Sequence, residues 1–160
     1  MEFTIARSEL LAALYLTQGI VERRTTIPIL SNVLVESDGE GILVTATDQE
    51  VAVRRKCKAS VKQPGILVTG ARKLYEMVRE LPDGDVLVRS LENDWVEVSL
   101  GRSRFRLVGM PPEQFPAMPE PAPTVPALRL PGATFAEMIE RTFLLPERRL
   151  KRGLLASCLL

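Results

Sequence analysis

Few residues in this 160-residue chain could carry chemistry. Histidine is absent, which removes His-based triads, HExxH zinc sites and imidazole acid–base catalysis. Cys57 stands among Arg54, Arg55, Lys56 and Lys58, cations that lower a thiol pKa and would make it a nucleophile. No imidazole can serve it as a base, and its strand parity groups it with Val51 and Val53, so a buried structural thiol is the better reading. Asp48 and Glu50 share strand parity and would form a carboxylate pair. Without a second pair or a Gly-rich phosphate loop beside them, they read as polar turn residues. What remains is cationic: Arg23 and Arg24 in one loop, and Arg72, Lys73 and Arg79 on one helix. Such residues attract phosphates without reading sequence, but on charge alone a solvated face and a polar loop are the plainer reading. No catalytic residue, metal-ligand set or cofactor is assigned.

These residues need elements to position them. Glu2 to Ile5 alternates as a strand, and Ser8 ahead of Leu10, Leu11 and Leu14 predicts an N-capped amphipathic helix to about Gln18, ended by Gly19. A polar loop carrying Arg23 and Arg24 follows, then a strand over Ile29 to Val35. Asp38-Gly39 predicts a hairpin, with Ile42 to Ala46 returning. Val51 to Ala59 reads as one half-buried strand, with Val51, Val53, Cys57 and Ala59 on one face and Arg54, Lys56 and Lys58 on the other. Leu74, Met77, Val78 and Leu81 recur at helical spacing, which predicts a second helix over about 71–81 closed by Pro82-Asp83-Gly84. Strands over 86–89, 95–99 and 103–108 complete the body, joined by turns at 92–94 and Gly101. Short connections favour antiparallel pairing, so the expected class is α+β, with two helices on a mostly antiparallel sheet.

Composition sharpens the division of the chain. Charged residues make up 26% and no apolar run approaches the ~18 residues of a membrane span, which excludes that class. The N-terminus has no basic, apolar leader, so a cytoplasmic location with reduced cysteines is expected. Residues 1–140 are slightly acidic, whereas residues 141–160 hold five cations against one anion. Seven prolines between Pro111 and Pro126 prevent helix or sheet and read as a linker. The predicted division is a body over 1–115, a linker over 116–127, a strand and helix over 128–142, and a basic tail over 143–160. Leu128-Arg129-Leu130 followed by Phe135, Ala136, Ile139 and Thr142 echoes Phe3-Thr4-Ile5 followed by Leu10, Leu11, Leu14 and Thr17 at a constant offset of 125 residues, as a tandem repeat would.

The ordered set Phe3-Thr4, Ile27-Pro28-Ile29-Leu30-Ser31-Asn32, Ala46-Thr47-Asp48-Gln49-Glu50, Ala71-Arg72-Lys73-Leu74, Gly101-Arg102-Ser103-Arg104-Phe105 and Phe115-Pro116 resembles the bacterial sliding clamp family, the beta subunits of DNA polymerase III. The resemblance covers residues 1 to about 142. It implies the DNA clamp fold and a non-catalytic processivity factor, with three similar domains per chain and two chains closing into a ring around duplex DNA. The partners it implies are duplex DNA, DNA polymerase III, the clamp loader and a second subunit. On this resemblance Arg24 matches a DNA-contacting arginine; Arg79 is added by position, and Arg23 and Arg72 by their charge and placement, as further phosphate contacts. Phe105 and Leu107 fall at apolar subunit-boundary positions, and Lys73, Arg102 and Arg104 at positions that pair with acidic residues of a partner's third domain.

The pattern stops after Thr142. The Arg- and Leu-rich stretch to Leu160 reads as a frame-shifted or prematurely ended segment; the rival reading, a basic amphipathic segment for membrane or nucleic acid, is opposed by Pro146 and Gly153. The expectation is a shortened chain, monomeric or weakly self-associating, that does not close a ring alone. A different function class, a standalone module binding a protein partner through the Phe105/Leu107 edge, is separated from DNA binding by its weaker dependence on salt.

Overall fold

The computed structural model describes residues 1–21, 27–118 and 129–143. The chain divides into two compact units, Met1–Met118 and Pro119–Leu160.

The first unit is built from two sheets. Strands β1 (Glu2–Ala6), β5 (Ser60–Gln63), β7 (Asp85–Ser90), β8 (Trp95–Leu100) and β9 (Ser103–Val108) form one in the order β5-β1-β7-β8-β9. The other comprises β2 (Asn32–Ser37), β3 (Gly41–Thr47), β4 (Ala52–Lys58) and β6 (Ile66–Gly70) in the order β4-β3-β2-β6. Every pairing is antiparallel. The expected antiparallel sheet is present, divided into two, and the class is α+β as expected. Helices α1 (Arg7–Thr17) and α2 (Ala71–Glu80) pack on each other and on the sheets. The core gathers Phe3, Ile5, Leu10 and Leu14 with Val33, Val44, Leu74, Val78, Val88 and Val98. Burying each such side chain contributes about 1.5–3 kcal/mol.

Two backbone devices join the sheets. The chain passes from β4 to β5 through Ala59 alone, so one nearly continuous run of strand serves both. At the opposite edge Gly109 bridges Thr69: its N–H donates to the Asp94 carbonyl at 2.9 Å, and the Met110 N–H donates to the Val68 carbonyl at 3.2 Å. A Cβ on Gly109 would stand 2.3 Å from the Asp94 oxygen and 2.4 Å from that of Val68, so only glycine allows this approach.

Local chemistry corrects several expectations. Helix α1 begins at Arg7 with Ala6 at the cap position, so Ser8 is inside the helix and is not its cap. The Arg7 N–H instead donates to the Gly84 carbonyl at 2.9 Å. Residues Pro28–Ser31 form a 3-10 turn, and β2 starts only at Asn32. Pro28 suits the first position of such a turn, and the Ser31 hydroxyl and Asn32 amide donate back to its carbonyl at 2.7 and 2.9 Å. The expected strand over 51–59 is shorter: Val51 precedes β4 and is exposed, and Ala59 is the corner into β5. Strands β5 and β6 were not anticipated. The Asp38-Gly39 hairpin is present, pairing Ser37 with Ile42 around Gly39 at φ +86°.

In the second unit, α3 spans Gly132–Phe143, where a helix was expected. Arg129 and Leu130 lie in no strand, contrary to expectation, because no neighbouring strand pairs with them among the described residues. Leu128, most of the linker and the stretch 144–160 fall outside the described residues.

Candidate nucleic-acid interface

Helix α2 presents the cations predicted for it. Leu74 and Val78 face the core, which leaves Arg72, Lys73, Glu76, Arg79 and Glu80 exposed. Arg72 Nε donates to Glu76 Oε1 at 2.8 Å, and Arg79 Nε donates to Glu80 Oε1 at 3.0 Å. Hydrogen bonding from Arg72 holds the Glu76 carboxyl below its ordinary range, and hydrogen bonding to Glu80 raises the Arg79 guanidinium. Exposed pairs of this kind contribute little to stability, and a phosphate can replace the glutamate as partner. Arg23 and Arg24 lie outside the described residues.

The helix is fixed from below by a residue that the sequence pattern did not single out. Arg7 Nε donates to the Val78 carbonyl at 3.0 Å and Nη2 to the Arg79 carbonyl at 2.6 Å, while Nη1 pairs with Asp83 at 2.9 Å. Both carbonyls belong to the last turn of the helix, where a cation also meets the negative end of the helix dipole; that of Val78 accepts in addition from the Leu81 N–H at 3.4 Å. Beside α2 a cleft of about 710 Å³ runs to the end of α1, lined by Tyr15, Asn32, Arg72, Tyr75 and Arg79.

Phe105 and Leu107, expected at a subunit boundary, share one face of β9 but differ in burial along it. Leu107 is 5% exposed and belongs to the core, whereas Phe105 is 38% exposed. Phe105, Lys73 and Met77 line a second cleft of about 640 Å³ between β9 and α2. Arg102 and Arg104 are exposed. The sequence reading missed the group that organises this edge: Glu97 on β8, 2% exposed, with Arg89 Nη2 at 2.7 Å, Arg106 Nε at 3.4 Å and Arg104 Nε at 3.7 Å. Register places Arg89, Glu97 and Arg106 in one row across three strands. Burial pushes the Glu97 carboxyl up, but the Arg89 hydrogen bond and the arginine charges outweigh it, so the net shift is downward. Alternation of Val96, Glu97 and Val98 was the available signal.

The other chemical candidates resolve locally. Asp48 Oδ1 accepts from the Val51 and Glu50 N–H groups at 2.6 and 2.9 Å, which lowers its carboxyl and makes it the anchor of the β3–β4 turn. Cys57 is 4% exposed; burial and then the charge of Glu9 push its thiol up, against a smaller opposing effect of Arg55. This is the reverse of activation. Among the described residues no group of three or more His, Cys, Asp or Glu side chains could hold a metal, and no helix is long and apolar enough to cross a membrane.

Comparison with known proteins gives a consistent result. Residues 1–119 match the family model described as DNA polymerase III beta subunit, N-terminal domain. A beta sliding clamp from Caulobacter vibrioides is 42% identical over 120 residues, covering 74% of this chain and 32% of the relative. One from Chlamydia pneumoniae is 32% identical across 100% of this chain and 43% of its own. Among solved structures, a DNA polymerase sliding clamp from Caulobacter crescentus superposes with a TM-score of 0.86 at 35% identity, over 97% of this chain and 42% of that one. A Pseudomonas aeruginosa clamp bound to griselimycin gives 0.88 at 34% identity, with the same coverage. The chain thus spans about a third to two fifths of the length of these relatives.

Proposed function

We propose, for a chain that belongs to the DNA polymerase III beta subunit family, that it supplies the N-terminal clamp domain of a replication processivity factor. The role is non-catalytic and cytoplasmic: the domain presents a surface along which duplex DNA slides, while DNA polymerase III and the clamp loader act on the assembled clamp. The supporting observation is the exposed pair Arg72 and Arg79 on a helix whose opposite face is locked in the core and whose end is held by Arg7. Rigid placement with interchangeable partners suits sequence-blind, short-lived phosphate contacts. Arg23 and Arg24, which follow α1 in the sequence, complete the set in this reading.

A partner subunit meets the β9 edge in the same reading. Phe105 supplies the accessible apolar contact, with Lys73, Arg102 and Arg104 around it, and Leu107 acts from within by fixing the strand. The test is binding of the full chain to labelled duplexes of unrelated sequence over a salt series. Comparable affinities that fall steeply with salt are expected; sequence-dependent or salt-insensitive binding would sink the proposal.

A further inference from the structure

Tyr15, on the last turn of α1, is 66% exposed, an unusual position for an aromatic ring on a helix otherwise packed by Leu10, Ala13 and Leu14. Its ring centroid lies 6.5 Å from that of Tyr75 on α2, with the planes inclined at 46°. Arg79 approaches the Tyr75 ring at 6.0 Å from its centroid. Both tyrosines line the 710 Å³ cleft beside Arg72, Lys73 and Arg79, so aromatic surface and cationic side chains share one concave wall.

We propose that this tyrosine pair is a stacking platform for unpaired DNA bases, set within the surface that contacts the duplex. The inference rests on the DNA-binding reading above and deepens it. Aromatic faces gain little from a duplex, whose bases are stacked on each other and whose outer surface is phosphate. Unpaired bases expose their π-faces, and sequence-blind single-strand sites combine aromatic platforms with a cationic track. The tilt of the two rings prevents full mutual stacking, and Tyr15 keeps most of its surface open to solvent. Charge alone would hold a strand weakly here, because Glu76 and Glu80 offset two of the three cations. Stacking must therefore provide the larger share of the affinity, and the Arg79 guanidinium over Tyr75 adds a cation–π contact beside it.

The experiment measures binding of the full chain to a labelled oligothymidylate and to a duplex of equal length, for the wild type, Tyr15→Ala and Tyr15→Phe. Tyr15→Ala is expected to weaken oligothymidylate binding about tenfold, the scale of one lost base stack. Tyr15→Phe should retain it, and any loss of duplex affinity in Tyr15→Ala should be much smaller than the loss for oligothymidylate. Circular dichroism of each variant checks that α1 is intact. Unchanged oligothymidylate binding in Tyr15→Ala, or equal losses on both ligands, overturns the platform. Duplex binding without any oligothymidylate binding overturns the platform alone. Binding of neither overturns the DNA reading as well.

Discussion

Arg7 and Val78 are 71 residues apart in sequence, yet Arg7 Nε donates to the Val78 carbonyl at 3.0 Å and so holds the C-terminal end of α2. With the bond to the Arg79 carbonyl, one side chain reaches two carbonyls of the last turn, of which that of Val78 also accepts from the Leu81 N–H. Replacement by Met keeps the apolar stem and removes the donors. Arg7→Met should lower unfolding free energy by about 1.5–3 kcal/mol, the range for hydrogen bonds to charged groups, as read from urea denaturation. A loss near zero would mean that water caps the helix equally well.

Glu97 predicts an acid-side signature. Its folded pKa lies below the ordinary value of 4.5, so its contribution is complete above that pH, where it is ionised in both folded and unfolded chains. As pH falls below 4.5 the unfolded chain takes up the proton first, and the contribution is lost on approach to the depressed folded value. Glu97→Gln should lower the denaturation midpoint at neutral pH and flatten its decline on the acid side. Parallel wild-type and variant curves down to the acid limit would show that the arginine cluster contributes nothing.

Gly109→Ala inserts a Cβ where the Asp94 and Val68 carbonyls already stand at 2.3 and 2.4 Å. Neither backbone oxygen can swing aside as a side chain would. A destabilisation of about 1–3 kcal/mol is expected, of the size found for overpacked sites, and thermal unfolding measures it.

The phosphate contacts proposed for α2 are counted by salt dependence. Arg72→Gln and Arg79→Gln should each weaken duplex binding to a similar degree on all sequences. Each should also reduce the slope of log K against log salt by about 1. A slope identical to the wild type would remove that arginine from the interface.

Cys57 should be inert in the folded chain. Peptide mapping after exposure to a thiol reagent is expected to show labelling at Cys57 only when denaturant is present, since burial both blocks access and raises the thiol. Rapid labelling under native conditions would restore the nucleophile reading.

Much of the fold was legible because local signals agreed with tertiary need. The spacing of Leu74, Val78 and Leu81 set α2, and Asp38-Gly39 set the first hairpin. Pro28 to Ser31 misled because an apolar run looks alike in a strand and in a 3-10 turn; the deciding bonds come from the Ser31 and Asn32 side chains. The corner at Ala59 was invisible because β4 and β5 share one alternation, and only pairing with β1 turns the second half into another sheet. The cations on α2 could be read from helical periodicity. Arg7, Glu97 and the meeting of Tyr15 with Tyr75 could not, since each depends on contacts between elements that sequence spacing does not encode.

The passage through Ala59 and the bridge at Gly109 mean that neither sheet has an independent edge along which to peel. Amide protons of β3 in one sheet and β7 in the other should therefore exchange with a common opening energy, as a single foldon. A load applied to one sheet is therefore shared at both ends by the other, and α1 and α2 rest on a base that gives as one piece.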